Sequence, residues 1–201
     1  MRVLLTGGAG YIGSHMAVAL AQAGHVPVVL DNLCNSKPSV MARLATLCGD
    51  ALPLVRADVR DTTAVVRALT EHHIEAVVHF AALKAVGESV EKPLLYFDNN
   101  VGGLLSLLQA MQSTNCRQIV FSSSAVVYGD PARVPIVEDD PVGYTNAYAQ
   151  TKLVGEQFLQ ALAESDPSWR VAVLRYFNPV GAHPSGQIGE DPSGIPNNLV
   201  P

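Results

Sequence analysis

Along this chain, short unbroken apolar runs alternate with stretches in which apolar residues return every three or four positions. The runs Arg2 to Leu5, Val26 to Leu30, Leu52 to Ala57, Ala76 to Phe80, Gln118 to Ser122 and Arg170 to Tyr176 have the length and composition of strands. Between them, Ile12, Met16, Ala19, Leu20 and Ala23 recur at helical spacing and stop at Gly24. Ser39 to Leu47, Thr62 to His72, Pro93 to about Ser113 and Ala147 to Glu164 carry the same period. Strands that are apolar throughout are buried on both faces, which requires a parallel sheet with helices on each side. Right-handed crossovers then give an α/β doubly wound, Rossmann-type fold. Ligands in such sheets bind outside the carboxyl ends of the strands, so the residues following each run are the ones to read for chemistry. After Tyr176 the chain turns to Pro, Gly and Asn. We therefore expect one doubly wound domain over 1–176 and the start of a second region over 177–201.

Composition narrows the partners. With 48% apolar residues the 201-residue chain can bury a sizeable core, yet no apolar run reaches membrane-spanning length, so no membrane partner is expected. The net charge of −5 and the lack of a basic cluster argue against nucleic acid. Thr6-Gly7-Gly8 interrupts the apolar start too early for a signal peptide. Cys34, Cys48 and Cys116 are odd in number and far apart, which reads as three reduced thiols in a cytoplasmic protein. No Cys/His spacing resembles a metal site, and the adjacent His72 and His73 fall on an expected helix surface.

Thr6-Gly7-Gly8-Ala9-Gly10-Tyr11-Ile12-Gly13 joins the first strand to the first helix. Gly7 would permit the tight turn, Gly10 the approach of a pyrophosphate, and Gly13 the packing of helix on strand. The helix start offers N–H groups and the positive end of its dipole to the phosphates. A glycine turn alone is a weak signal. Strand before, helix after and Asp31 closing the second strand make it a dinucleotide motif. Asp31 should accept hydrogen bonds from the adenosine ribose and repel a 2′-phosphate, which selects NAD over NADP. Lys37, the nearest cation, stands too far along the chain to reverse this. Asp58 follows the third strand and could reach the adenine or sit near a helix start.

A second constellation lies further on. Ser122-Ser123-Ser124 closes the fifth run, and Tyr148 and Lys152, four apart, project from one helix face. A tyrosine with a free pKa of about 10 needs help to act as a base near pH 7, about 4 kcal/mol. A lysine ammonium and a nicotinamide cation would both favour the phenolate. Ser124 would align a substrate hydroxyl. Each piece alone is commonplace; together, at carboxyl ends of one sheet, they describe proton removal coupled to hydride transfer.

The glycine turn with Ser124, Tyr148 and Lys152 resembles the extended short-chain dehydrogenase/reductase family. The strings Asp31 to Ser36, Phe80 to Ser89, Asn99-Asn100, Arg175 to Pro184 and Ile195 to Leu199 resemble its UDP-glucose 4-epimerase branch, from Met1 to Pro201. The resemblance implies that Tyr11, Ile12, Asp31, Asn32, Leu33, Cys34, Asn35, Ser36, Asp58, Val59, Phe80, Ala81, Ala82, Leu83, Lys84, Asn99, Ser124, Tyr148, Lys152 and Phe177 contact NAD. It further implies that Ser124 and Tyr148 meet the sugar and that Asn178, Asn198 and Leu199 lie along the UDP. The implied reaction interconverts UDP-galactose and UDP-glucose, within a homodimer packed through the long helices. Two departures stand out. Asn146-Ala147-Tyr148-Ala149 replaces the usual Asn-Pro-Tyr-Gly and is expected to loosen the helix start. Family members also continue beyond Pro201 into a lobe that closes over the sugar, which makes this chain alone a poor epimerase by expectation, or a remnant that binds only NAD. Asn197 or Asn198 would cap a following helix. A nucleotide-sugar 4,6-dehydratase shares the fold but needs an Asp-Glu pair where this chain has Ala125 and Val126, neither able to move a proton.

Overall fold

The computed structural model describes residues 1–192. Six parallel strands form one sheet in the order β3-β2-β1-β4-β5-β6, with β1 Arg2–Thr6, β2 Val26–Asp31, β3 Leu54–Arg56, β4 Ala76–His79, β5 Gln118–Ser124 and β6 Arg170–Tyr176. The order reverses between β1 and β4, and the crevice of a doubly wound sheet opens at that point. Alternate residues of the central strands feed two cores. Leu4, Val28, Leu30, Val77, Ile119 and Phe121 pack with the helices α3 (Thr62–Glu71), α6 (Gly103–Ser113) and α7 (Ala147–Ser165). Val3, Leu5 and Val78 pack with α1 (Tyr11–Gln22) and α2 (Ser39–Cys48).

Helix ends follow their local chemistry. The Asp61 carboxylate accepts from the Ala64 N–H at 3.0 Å and starts α3. α2 stops at Gly49, whose φ of 79° a side chain would resist. Asn146 caps α7 by accepting from the Ala149 N–H at 2.8 Å, so the helix start is fixed, not loosened, despite the missing proline.

Four expectations change. The long helix from Pro93 to Ser113 is instead α5 (Pro93–Tyr96), a π-turn over Phe97–Gly102 and α6, while a short helix, α4 (Val86–Glu91), was not foreseen. β5 continues to Ser124, placing that serine within the strand's last residue. β6 is not buried on both faces: Val173 and Leu174, which point to opposite faces of this outermost strand, are exposed, so the helix layers do not fully cover it. His72 caps α3 and His73 adopts φ 49° in the turn that follows, off the helix surface.

Candidate active site

The glycine turn is shaped by what its residues lack. Gly7 has φ 68°, and a Cβ there would lie 2.7 Å from the Ala81 nitrogen in the loop after β4. A Cβ on Gly13 would lie 2.4 Å from the Gly7 carbonyl, so the helix packs directly on the turn. Gly8, which the sequence reading passed over, is equally tight, with a Cβ 2.8 Å from the Leu5 carbonyl. At Gly10 a Cβ would make one tight contact, 3.3 Å from the Gly7 carbonyl, and meet no other atom within 4 Å. Ala9, Gly10, Tyr11 and Ser14 line a cleft of about 490 Å³ together with residues 34–37 and 186–191. No side chain caps α1, so its first N–H groups are available to an anion. A cradle of bare backbone at a helix start suits a dinucleotide diphosphate.

Asp31 is buried, and its carboxylate accepts from the Ala9 N–H at 3.0 Å, the Leu33 N–H at 2.8 Å and the Ser36 hydroxyl at 3.3 Å. It thus ties the turn after β1 to the loop after β2, in which Leu33 takes φ 61° and Cys34 and Asn35 are exposed. Asn32 donates to Asp58 at 3.0 Å. Asp58 also holds the Arg60 guanidinium, whose hydrogen bonds keep the carboxyl well below the usual range; the capping role falls to Asp61. The Val59 side chain is core, against Gly103, which leaves its backbone as the part able to face a ligand. Phe80 and Ala81 join the two cores, and Ala82, Leu83 and Lys84 continue the loop after β4.

At the end of β5, Ser124 and Tyr148 are each about nine-tenths buried. Burial pushes the Tyr148 phenol up, and the hydrogen bond with the Ser124 hydroxyl offsets part of that shift. Lys152 is 4% exposed and donates to the Ser122 carbonyl at 2.7 Å. Its ammonium lies 5.9 Å from the centre of the Tyr148 ring, and burial brings its pKa down to about 8. Fixed at that distance, it is the chain's own positive charge available to a phenolate. His79, fully buried beside it, accepts or donates with Thr6 at 2.6 Å and stays neutral, its pKa lowered to about 3 by burial and then by Lys152.

Several contacts that organise the site join residues remote in sequence. On the π-turn, Asn99 donates to the Asn100 side chain at 2.9 Å. Asn100 in turn accepts from the Leu83 N–H, donates to the Leu83 carbonyl, and donates to Thr151, whose hydroxyl donates to the Tyr148 carbonyl. One asparagine thereby links the loop after β4 to α7. Glu156, one turn beyond Lys152, accepts from Ser123 and from Nε and Nη2 of Arg175, whose Nη1 donates to the Tyr128 hydroxyl. The i, i+4, i+8 spacing of Tyr148, Lys152 and Glu156 was the available signal. Lastly, residues 181–191 fold back over α1 and α2: Tyr11 donates to the Gly181 carbonyl, Arg43 to the Gln187 carbonyl at 2.9 Å, and Ile188 is buried in the second core. Phe177 and Asn178 stand exposed beyond β6, and Asn197, Asn198 and Leu199 lie outside the described residues. Among the described residues, no group of His, Cys, Asp and Glu is arranged to hold a metal, and no helix is long and apolar enough to cross a membrane.

A doubly wound sheet with a glycine turn at its switch point, with Ser124 closing β5 and Tyr148 and Lys152 on α7 beside it, has the architecture of a dinucleotide-binding α/β domain. Residues 3–199 match the model of the NAD dependent epimerase/dehydratase family, and the chain belongs to that family. It is 55% identical to the UDP-glucose 4-epimerase of Yersinia pestis over 202 residues, covering 100% of this chain and 60% of the relative. For the UDP-glucose 4-epimerase of Bacillus subtilis the identity is 56% over 201 residues, covering 100% and 59%. Its structure is similar to that of a Stenotrophomonas maltophila UDP-glucose-4-epimerase with bound NAD and formylated UDP-arabinopyranose, with TM-score 0.97, 51% identity and coverage of 99% and 59%. A Bifidobacterium longum UDP-glucose 4-epimerase in complex with NAD+ and UDP gives TM-score 0.96, 48% identity and coverage of 99% and 60%. The chain spans about 60% of the length of the curated relatives it matches.

Proposed function

We propose that the protein interconverts UDP-galactose and UDP-glucose by transient oxidation at carbon 4 of the sugar, with NAD held across the cleft at the glycine turn. The observation that carries this reading is the burial of Ser124, Tyr148 and Lys152 together at the carboxyl end of β5. The similarity to UDP-glucose 4-epimerases over the whole of this chain supports the choice of sugar. The chemistry NAD supplies when bound is reversible hydride acceptance. Gly7, Gly10, Tyr11, Ile12 and Gly13 would hold its diphosphate, and Asp31 to Ser36, Asp58 and Val59 its adenosine. Phe80 to Lys84, Asn99, Lys152 and Phe177 would line the nicotinamide half.

Tyr148 takes the proton of the sugar 4-hydroxyl and returns it after the ring has turned. Ser124 holds that hydroxyl by hydrogen bonding. Burial alone would keep Tyr148 a phenol, so the base form requires positive charge, and Lys152 contributes the protein's share. Asn178, Asn198 and Leu199 would lie along the UDP. We assign residues 1–176 to the dinucleotide-binding domain and 177–201 to the start of the substrate region. Val90, Leu94 and Leu95 on α4 and α5 and Leu105 on α6 are exposed apolar side chains, and we assign them to a homodimer contact. Three free thiols, Cys34 among them exposed, fit a cytoplasmic setting.

The test is to incubate purified protein with UDP-galactose and resolve the nucleotide sugars chromatographically. UDP-glucose should appear with no net consumption of NAD. Bound NAD without interconversion would refute the reading in favour of the remnant that binds only NAD, and release of a dehydrated 4-keto sugar would return the dehydratase alternative, which Ala125 and Val126 oppose.

A further inference from the structure

We propose that Asp191 sets the preference of this cleft for NAD over its 2′-phosphorylated form, by engaging a lysine that would otherwise bind the extra phosphate. The inference rests on the dinucleotide reading above. In doubly wound folds the two cofactors are told apart just after the second strand, where a carboxylate favours ribose hydroxyls and a nearby cation accommodates a 2′-phosphate. By sequence, Lys37 lies too far beyond Asp31 to matter. The fold removes that distance. The Ser36 hydroxyl donates to Asp31, so the loop curls back on itself, and Lys37 and Arg43 both line the cleft that Gly10 opens onto.

Two cations beside the ribose end would ordinarily make a phosphate site. Here both are engaged by the segment that folds back from beyond β6. Lys37 Nζ stands 2.6 Å from Asp191 Oδ2, and Arg43 donates to the Gln187 carbonyl at 2.9 Å. The Lys37 hydrogen bond and charge, with a smaller contribution from Arg43, hold the Asp191 carboxyl below its usual range, so it remains charged at neutral pH. On the nearby rim Glu190 pairs with Lys84 at 2.9 Å, adding a second negative charge from the same segment. Selectivity is then shared between Asp31, which is fixed by three hydrogen bonds, and an acid 160 residues further along the chain. Lys37 and Asp191 are 68% and 66% exposed, so the effect is screened and must weaken with salt.

The experiment is calorimetric titration of NAD and of NADP into the unaltered protein, Asp191→Asn, Lys37→Gln and the double variant, at low and high salt. Asp191→Asn should tighten NADP by roughly three- to fivefold relative to NAD at low salt, the scale of one exposed charge pair. The gain should vanish in the double variant and shrink at high salt. An unchanged NADP-to-NAD ratio in Asp191→Asn overturns the inference while leaving the dinucleotide reading intact. So does a gain that survives removal of Lys37. Failure of the unaltered protein to bind either dinucleotide overturns both.

Discussion

The glycine turn and the Ser124–Tyr148–Lys152 cluster stand at carboxyl ends of one sheet, yet the first is shaped by absent side chains and the second by buried ones. In the turn, added Cβ atoms at Gly7, Gly8 and Gly13 would meet backbone at 2.4–2.8 Å, and backbone does not yield. In the cluster, position is set by hydrogen bonds: Lys152 to the Ser122 carbonyl, Thr151 to Asn100, Glu156 to Ser123 and Arg175. The difference teaches that cofactor binding and chemistry should fail separately. The turn is broken by adding one methyl group, the cluster by deleting one polar atom.

The largest separation is expected from Tyr148→Phe. It should lower interconversion of the UDP-sugars about 10²–10⁴-fold, the usual worth of a general base, while NAD affinity stays close to that of the unaltered protein. Turnover by product analysis and NAD titration on one preparation check both halves; retained turnover would assign the base elsewhere. Gly13→Ala should do the reverse. Its Cβ would sit 2.4 Å from the Gly7 carbonyl, and overpacking of that kind costs about 3 kcal/mol. NAD binding should be lost and the urea midpoint lowered, and a variant that binds NAD normally would show that the turn can shift.

Glu156→Gln should cost about 2 kcal/mol, less than the loss of a fully buried pair because the Arg175 side chain keeps 22% of its exposure. Denaturant unfolding reads that loss, and NAD affinity should hold, since the turn lies on other strands. The smallest effect is with pH. His79 is buried neutral with a pKa of about 3 against 6.5 when free. Between those values the unfolded chain binds more protons than the folded one, so stability rises with pH and falls on acidification from about 6.5 toward 3. A loss of about 1–2 kcal/mol is expected by pH 5, where the carboxyl of Asp58 still contributes fully. His79→Gln should flatten that slope; an equal slope in the variant would move the effect to another group.

Much of this was legible in the chain itself. Parallel strands declared themselves as unbroken apolar runs, and the glycine turn as three glycines between strand and helix. Tyr148 and Lys152 stood out only in company with the serine run at the end of the fifth strand. What stayed hidden has a common physical cause, dependence on partners remote in sequence. Asn100 does its work through Leu83 and Thr151, and Arg175 through Glu156 and Tyr128, none of which a local pattern can join. The π-turn left the helical period nearly intact and so read as one helix. Burial of Tyr148, which raises its pKa, was hidden for the same reason, since the groups that cover the ring come from other elements.

The wall contributed by residues 181–191 has a consequence for synthesis. Tyr11 and Gly181, joined by a hydrogen bond at the edge of the cleft, are 170 residues apart. Ribosomes add about 5–20 residues each second, so roughly 10–30 s separate the emergence of the glycine turn from that of its outer wall. Once the end of β2 and the loop after β4 have also emerged and packed on the turn, the nascent chain presents the floor of the cleft without its cover. A dinucleotide already in the cell could dock on the floor first and be enclosed as the later segment closes, making the cofactor a participant in assembly.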